Sequence, residues 1–306
     1  MKTSSLQLDE FAATVLAVPP LARRADLSID IEQNRRLIRH IETGDMRILL
    51  YGGNANLYHC SLADYARMLD MLADAAAQNT RVIPAIGPDF GKMMDQAGLL
   101  RARGYQTAMV LPMQGFTSEQ GVADGLRRFV DAAQMPVTLY LKSESYLDIE
   151  RLGRLVDEGC VTVVKYAVIR DDPARDPFLE RLIERISASR IVSGMGERPA
   201  PTHLTRFGLA SFTTGCGCIA PKASMQLLQA IQRGNKSATE TLMAQFMPLE
   251  TLREAVSLIR VLHDAVSFCG VADMGAQLPL LSASPTEHHA QIKTLAAALL
   301  AFEQNL

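Results

Sequence analysis

The stretch Arg47–Gly87 reads RILLYGGNANLYHCSLADYARMLDMLADAAAQNTRVIPAIG. Its first and last segments, RILLYGG and RVIPAIG, are short and almost continuously apolar, which is typical of strands covered on both faces of a parallel sheet. The segment between them begins at Ser61, a residue type suited to a helix N-cap. Apolar residues follow on one helical face, at Leu62, Tyr65, Met68, Leu69 and Leu72. The stretch therefore predicts strand, amphipathic helix, strand.

The same plan recurs along the 306 residues. Six more apolar runs are VLAVPPL from Val15, TAMVLPM from Thr107, VTLYLK from Val137, VTVVKYAV from Val161, RIVSGMG from Arg190 and SFTTGCG from Ser211. Strand and helix alternating eight times predict a (β/α)8 TIM barrel, a fold of the α/β class that ordinarily takes ~250 residues. An open, doubly wound sheet is the alternative, but no Gly-x-Gly-x-x-Gly motif follows the first strand.

Two regions are expected within one structural unit. Residues 1–235 form the barrel, which the helix ASMQLLQAIQRG closes, and residues 236–306 form a C-terminal helical extension packed on the barrel. Within the extension, TETLMAQFMPLETLREAVSLIRVLHDAVSF and PTEHHAQIKTLAAALLAFEQNL are read as two helices. Because a barrel does not need them, we expect them to provide a packing surface for another subunit.

The charge and cysteine content limit the partners and the compartment. Lys and Arg number 31 against 33 Asp and Glu, so no nucleic-acid or membrane partner is expected. The N-terminal MKTSSLQLDEF lacks the apolar core of a signal peptide, and no run reaches the ~20 apolar residues of a membrane span. Five unevenly spaced cysteines argue against a disulfide framework. We expect a soluble, cytoplasmic protein with free thiols.

The carboxyl ends of barrel strands converge on the active site, so the residues there deserve separate inspection. Lys165 ends the sixth run in an apolar setting, where an amine loses its proton and can attack a carbonyl to form a Schiff base. Tyr140 ends the fifth run and is suited to moving that proton. Glycines end runs two, seven and eight and allow backbone N–H groups to approach a carboxylate. The combination predicts a site for a small 2-oxo acid; the alternative is a structural lysine paired with a carboxylate.

Several segments in this order resemble the dihydrodipicolinate synthase and N-acetylneuraminate lyase family of class I, Schiff-base aldolases. They are Gly52–Asn56, Leu139-Tyr140, Val164-Lys165 and Ser193-Gly194, with Gln277-Leu278-Pro279-Leu280 near the end. The resemblance implies that Lys165 forms the imine with pyruvate or a related 2-oxo acid and that Tyr140 donates and accepts protons. It also implies a homotetramer, a dimer of dimers, with no cofactor other than this covalent imine.

The departures from the family pattern fall on residues that would set the substrate. Gly53 and Asn54 stand where the family has two threonines, one of them a proton relay. Gln114 stands where a relay tyrosine would reach across the subunit interface, and Ser145 where an arginine would hold the second substrate's carboxylate. An amide and a hydroxyl suit hydroxylated substrates better than a charged semialdehyde. True dihydrodipicolinate synthesis is therefore not expected.

The substrate carboxylate is expected to bind near Gly53, Asn54, Gly194 and Thr213, with Gln114 and Ser145 setting specificity. The reaction is predicted to be carbon–carbon cleavage or condensation by a lyase of the class I aldolase type. Two alternatives stay open: a Schiff-base dehydratase of a 2-keto-3-deoxy sugar acid, and a non-catalytic binding protein that kept the barrel.

Two local features are given structural interpretations. The pair Cys216 and Cys218 is separated by one residue, which is poor spacing for a metal site, so no metal is predicted and the pair is assigned to the pocket wall. Asp171 and Asp172 follow the lysine strand and are predicted to cap the next helix.

Overall fold

The chain forms a closed barrel of eight parallel strands in sequential order. A computed structural model describes residues 1–113 and 115–306. The barrel closes through pairing of the first strand with the eighth, Leu16 opposite Thr213 and Ala17 opposite Thr214. This closure excludes the open doubly wound sheet and confirms the predicted (β/α)8 fold.

Each of the eight apolar runs contains one strand. The strands are β1 Leu16–Ala17, β2 Ile48–Tyr51, β3 Arg81–Ile86, β4 Ala108–Val110, β5 Val137–Leu141, β6 Val161–Tyr166, β7 Ile191–Ser193 and β8 Ser211–Thr214. Almost every strand residue is buried, because side chains facing inward fill the barrel and those facing outward lie under the helices.

Helices separate the strands and continue beyond the last one. They are α1 Asp9–Ala12, α2 Ile31–Thr43, α3 Leu62–Ala75, α4 Phe90–Ala102, α5 Glu119–Ala133, α6 Ile149–Asp157, α7 Pro177–Ile186, α8 Ala200–Phe207, α9 Pro221–Gln232, α10 Lys236–Val256, α11 Leu258–Phe268 and α12 His289–Gln304. Among residues 1–113 and 115–306, no helix combines the length and hydropathy needed to cross a bilayer.

Side-chain caps set the starts of several barrel helices. Ser61 caps α3 as predicted, its side chain accepting from the Asp64 N–H. Leu62, assigned to the buried face of α3, is 36% exposed, and the buried face begins at Tyr65. The cap of α7 is Asp176, not the predicted Asp171 or Asp172. A turn follows β6, so α7 begins several residues after Asp171 and Asp172.

The predicted long helix after the barrel is two helices. It breaks at Ser257, whose backbone is extended at φ −175° and ψ 121° and whose side chain caps α11. α10 packs against α9, and α11 packs against α12. The helices of the C-terminal region are observed. The boundary at residue 235 between the barrel and the extension stays a prediction.

Asn34 joins α2 to the segment that follows β1. Its side chain is fully buried, accepts from the Ala22 N–H at 3.0 Å and donates to the carbonyls of Ala22 and Asp30 at 3.0 and 2.7 Å. We expect Asn34→Ala to lower the free energy of unfolding by about 2–4 kcal/mol, because buried backbone groups lose their partners. Urea denaturation of Asn34→Ala beside the exposed control Asn305→Ala measures this, and equal losses in the two variants would contradict it.

Candidate functional site

Lys165 and Tyr140 meet at the carboxyl ends of two neighbouring strands. The register of β5 and β6 pairs Tyr140 directly with Lys165, which puts the two side chains at the same height in the barrel. Lys165 Nζ lies 4.0 Å from the centroid of the Tyr140 ring, and the lysine is only 4% exposed. The structure thus brings together the two residues to which the sequence assigned the chemistry.

The environment of Lys165 favours the neutral amine. Burial, together with the positive charges of Lys142 and Arg253, lowers its pKa from 10.5 to about 7. In the part of the chain that the structure describes, no carboxylate lies within 4.0 Å of Nζ. The Tyr140 ring attracts a buried cation by on the order of 2 kcal/mol, whereas lowering the pKa from 10.5 to about 7 corresponds to about 1.4 kcal/mol for each unit. Desolvation therefore outweighs the aromatic contact, and the structural alternative of a carboxylate-paired lysine fails.

The tyrosines Tyr58, Tyr140 and Tyr146 lie close to one another, and Tyr140 contacts the amine. Burial raises the pKa of Tyr140 well above its ordinary value, and the nearby Tyr58 raises it further. The pKa of Tyr146 is raised to about 12 by burial and again by Tyr58. All of these phenols are protonated at neutral pH and can donate a hydrogen bond. Tyr58 was missed by the sequence analysis, although it follows the Gly53-Asn54 segment closely enough to have been considered.

The predicted carboxylate-binding residues have partly different roles. The Gly194 N–H donates to the Tyr166 carbonyl at 2.7 Å, so it extends the β6–β7 ladder and does not point to a ligand. A Cβ at Gly194 would lie 2.8 Å from Lys165 Cγ, so the glycine makes space for the lysine. Asn54 donates one amide N–H to the Val18 carbonyl at 2.8 Å, which leaves its other N–H for a substrate.

The remaining predicted residues lie around the mouth or outside the described chain. A Cβ at Gly53 would meet no atom within 4 Å, so this side of the mouth is open. Thr213 is buried on β8 opposite Leu16 of β1. Ser145 is exposed at the rim, its Oγ 2.8 Å from Ser143 Oγ. Gln114 lies outside the residues that the structure describes.

A buried ionic cluster packs behind the ends of β7 and β8. Glu250 and Arg253 of α10 form an ion pair, Cys216 donates to Glu250 Oε1 at 2.9 Å, and Thr214 donates to Glu197. Burial and the adjacent Glu250 raise the pKa of Glu197 to about 8, which favours the protonated carboxyl at pH 7. The sequence analysis missed the cluster, because its members are far apart along the chain.

Metal binding by this cluster is disfavoured by its own charges. Donor atoms of Glu197, Cys216 and Glu250 lie within 4.8 Å of one another, a spacing that a cation could use. The Arg253 guanidinium already contacts both Glu250 and Cys216 and supplies the positive charge there. The arrangement is that of a buried ion pair with a protonated neighbour.

Comparison with known proteins identifies the family to which this chain belongs. The family model described as the dihydrodipicolinate synthetase family matches residues 15–298. The chain belongs to this family. A Bacillus subtilis (strain 168) protein described as a probable 5-dehydro-4-deoxyglucarate dehydratase is 21% identical over 259 residues, 81% of each chain. Two members of solved structure are similar to the chain in fold and are named for different reactions.

The first solved member is dihydrodipicolinate synthase from Bacillus clausii, with a TM-score of 0.83, 20% identity and coverage of 97% of this chain and 100% of that one. The second is Ruminococcus gnavus sialic acid aldolase, with a TM-score of 0.82, 14% identity and coverage of 96% and 99%. Proteins that share this fold are thus named for more than one reaction. Substrate assignment has to come from this chain's own residues.

The lowered pKa of Lys165 predicts how imine formation depends on pH. Only the unprotonated amine attacks a carbonyl, so the initial rate of trapping pyruvate, at enough cyanoborohydride that amine addition limits the rate, should rise about tenfold from pH 6 to 8 and then level off. Nα-acetyl-lysine, with an ordinary amine, should continue to gain reactivity up to about pH 10. A protein profile that follows the free amino acid would contradict the neutral lysine.

Proposed function

We propose that this member of the dihydrodipicolinate synthetase family is a Schiff-base-forming lyase that acts on pyruvate or a related 2-oxo acid. The observation that carries the proposal is Lys165, a buried amine beside Tyr140 whose neighbouring charges are cationic. A buried lysine without a carboxylate costs stability, and a role as nucleophile explains why it is there.

The mechanism follows from these positions. Nζ of neutral Lys165 adds to the keto carbon, and Tyr140 relays a proton from nitrogen to oxygen. Tyr140 then gives its own proton to the hydroxyl, which leaves as water, so that the iminium and the Tyr140 phenolate remain. The Tyr140 phenolate takes the proton of the hydroxyl on the β carbon, the bond between the α and β carbons breaks, and its electron pair forms the enamine as the aldehyde departs. Protonation of the resulting enamine and hydrolysis of the imine release the 2-oxo acid and restore the amine.

A second candidate reaction is dehydration of a 2-keto-3-deoxy sugar acid. The same iminium acidifies the neighbouring carbon, and the enamine then expels a β-hydroxyl as water instead of an aldehyde. The similarity to the described dehydratase of Bacillus subtilis favours this reaction. Gly53, Asn54 and Ser145 differ from the synthase pattern and argue against dihydrodipicolinate synthesis.

Borohydride treatment in the presence of pyruvate, followed by peptide mass mapping, tests the proposal. The reduced adduct is expected on the peptide that contains Lys165 and on no other lysine peptide. Absence of an adduct with every 2-oxo acid tried would leave the non-catalytic binding protein as the better interpretation. Product analysis on a panel of 2-oxo sugar acids then separates cleavage, which yields an aldehyde, from dehydration, which does not.

We propose further that the chain assembles as a homotetramer. Phe116 is 90% exposed and Phe90 49% exposed, and both line a groove of about 320 Å³ that includes Tyr146 of the site. Such apolar exposure suits an interface with a second copy of the chain. Sedimentation or light scattering should give four times the chain mass of 33.4 kDa.

A cytoplasmic location is also proposed. The cysteines Cys60, Cys160, Cys216, Cys218 and Cys269 are all free, as expected of a chain kept in a reducing compartment. Fractionation of cells that express the tagged chain tests this directly.

A further inference from the structure

A second lysine, Lys142, lies at the mouth of the site on the same aromatic ring as Lys165. Its Nζ is 5.6 Å from the centroid of Tyr140, and Lys165 Nζ is 4.0 Å from that centroid. The two nitrogens are therefore less than about 10 Å apart, close enough for their charges to interact. In the mechanism described above, Lys142 contributes only its charge, which helps to lower the pKa of Lys165.

The position of Lys142 follows from strand periodicity. β5 ends at Leu141, and Lys142 comes two residues after Tyr140, so the two side chains leave the backbone on the same side. Each residue advances a strand by about 3.3 Å, so Lys142 lies higher in the mouth than the Tyr140 and Lys165 layer. A substrate joined to Lys165 therefore starts within about 10 Å of Lys142 Nζ.

No acidic side chain neutralises Lys142. In the described part of the chain no carboxylate lies within 4.0 Å of its Nζ. The nearby acid Glu144 is held by Arg170, and Arg170 is held in turn by Asp176. Because Glu144 and Asp176 both pair with Arg170, the positive charge of Lys142 is available to a ligand.

Apart from Glu144, which pairs with Arg170, the rim offers hydroxyl groups and a second cation. Ser143 and Ser145 present hydroxyls that contact each other at 2.8 Å. Lys92 donates to the carbonyls of Leu57 and Tyr58 at 3.2 and 3.3 Å, which adds a second positive charge near the Tyr58 side of the mouth. The rim therefore suits an anion flanked by hydroxyl donors.

We propose that Lys142 binds a second carboxylate of the substrate, at the end remote from the imine, so that the preferred substrates are dicarboxylic 2-oxo acids. The proposal rests on imine formation at Lys165. Ser145 stands where the family has an arginine, which led to the expectation of an uncharged substrate end. Lys142 changes that expectation, because it supplies a positive charge that the arginine would otherwise provide. A single ammonium with two hydroxyls fits a carboxylate better than a phosphate, which recruits several arginine donors.

The test compares two acids of equal chain length, 2-oxoglutarate and 2-oxovalerate, which differ only in ending in a carboxylate or a methyl group. Cyanoborohydride trapping is measured against concentration for each acid. Wild-type protein is expected to half-saturate at about tenfold lower 2-oxoglutarate than 2-oxovalerate. This preference should shrink at high salt, since the rim is open to solvent.

Variants at Lys142 decide the assignment. Lys142→Met should lose most of the tenfold preference, whereas Lys142→Arg should keep most of it because the charge remains. The ratio between the two acids is compared, because any effect of Lys142 on Lys165 is common to both. Lys293→Met, on the exposed face of α12, is the matched control and should behave as wild type.

The outcomes separate this inference from the proposed function. If neither acid is trapped, imine chemistry at Lys165 fails and the inference fails with it. If both acids are trapped without preference, or if Lys142→Met keeps the preference, imine chemistry stands and the role of Lys142 is wrong.

Discussion

Lys165→Met should abolish covalent trapping of 2-oxo acids and lower turnover by about 10⁴-fold or more, while making the protein more stable. The loss of activity is expected because the variant has no amine to form the imine on which every later step depends. Trapping is measured by intact-protein mass after reduction, and turnover by product analysis. Lys293→Met serves as the control for a lysine remote from the site.

The gain in stability follows from the pKa of Lys165. Its value is about 7 in the folded protein against 10.5 for an ordinary lysine, so the unfolded chain binds the proton more tightly. The free-energy cost of burying Lys165 in the folded state is full below pH 7 and disappears as the pH rises through 10.5. Methionine, of similar length and uncharged, should therefore raise the free energy of unfolding at pH 7, on the order of 3 kcal/mol.

Activity and stability together make this variant decisive. An inactive variant that is also less stable than wild type would indicate that Lys165 is a structural residue with a favourable partner. Urea denaturation at pH 7 and again near pH 10 checks the sign, because the advantage of Lys165→Met should be largest at the lower pH.

Arg253→Met should lower the free energy of unfolding by about 3–5 kcal/mol. Arg253 is 4% exposed and Glu250 is 2% exposed, so removing the guanidinium leaves a buried carboxylate without its counter-ion. The guanidinium also donates to the Leu258 carbonyl at 3.1 and 3.2 Å, which ties the break between α10 and α11 to the barrel rim. Urea denaturation at pH 7 measures the loss.

Two controls identify the cause of that loss. Arg206→Met removes an exposed arginine paired with Glu180, both more than half exposed, and should cost less than about 1 kcal/mol. The double variant Glu250→Leu, Arg253→Met removes both charges and should recover much of the stability that Arg253→Met loses. If the double variant is as unstable as the single one, the cost comes from lost packing and the ionic interpretation is wrong.

Much of the fold was readable from local patterns. The apolar runs became strands and Ser61 became a cap, because hydrophobic periodicity and capping act between residues close in sequence. Errors occurred where several local patterns were compatible with the chain. Asp172 and Asp176 are equally good caps by residue type, and only the turn that packs after β6 decided between them. The break at Ser257 likewise lies in a continuous helical pattern.

By itself the sequence determined that a lysine ends a buried strand and that a tyrosine ends the strand before it. Only the tertiary structure decided that the two share one height in the barrel, and that Lys142 and Arg253 are the charges acting on the amine. It also brought Glu197, next to β7, against Glu250 of α10. The physical reason is that a pKa depends on burial and on charges from distant segments, which no local pattern of residues encodes.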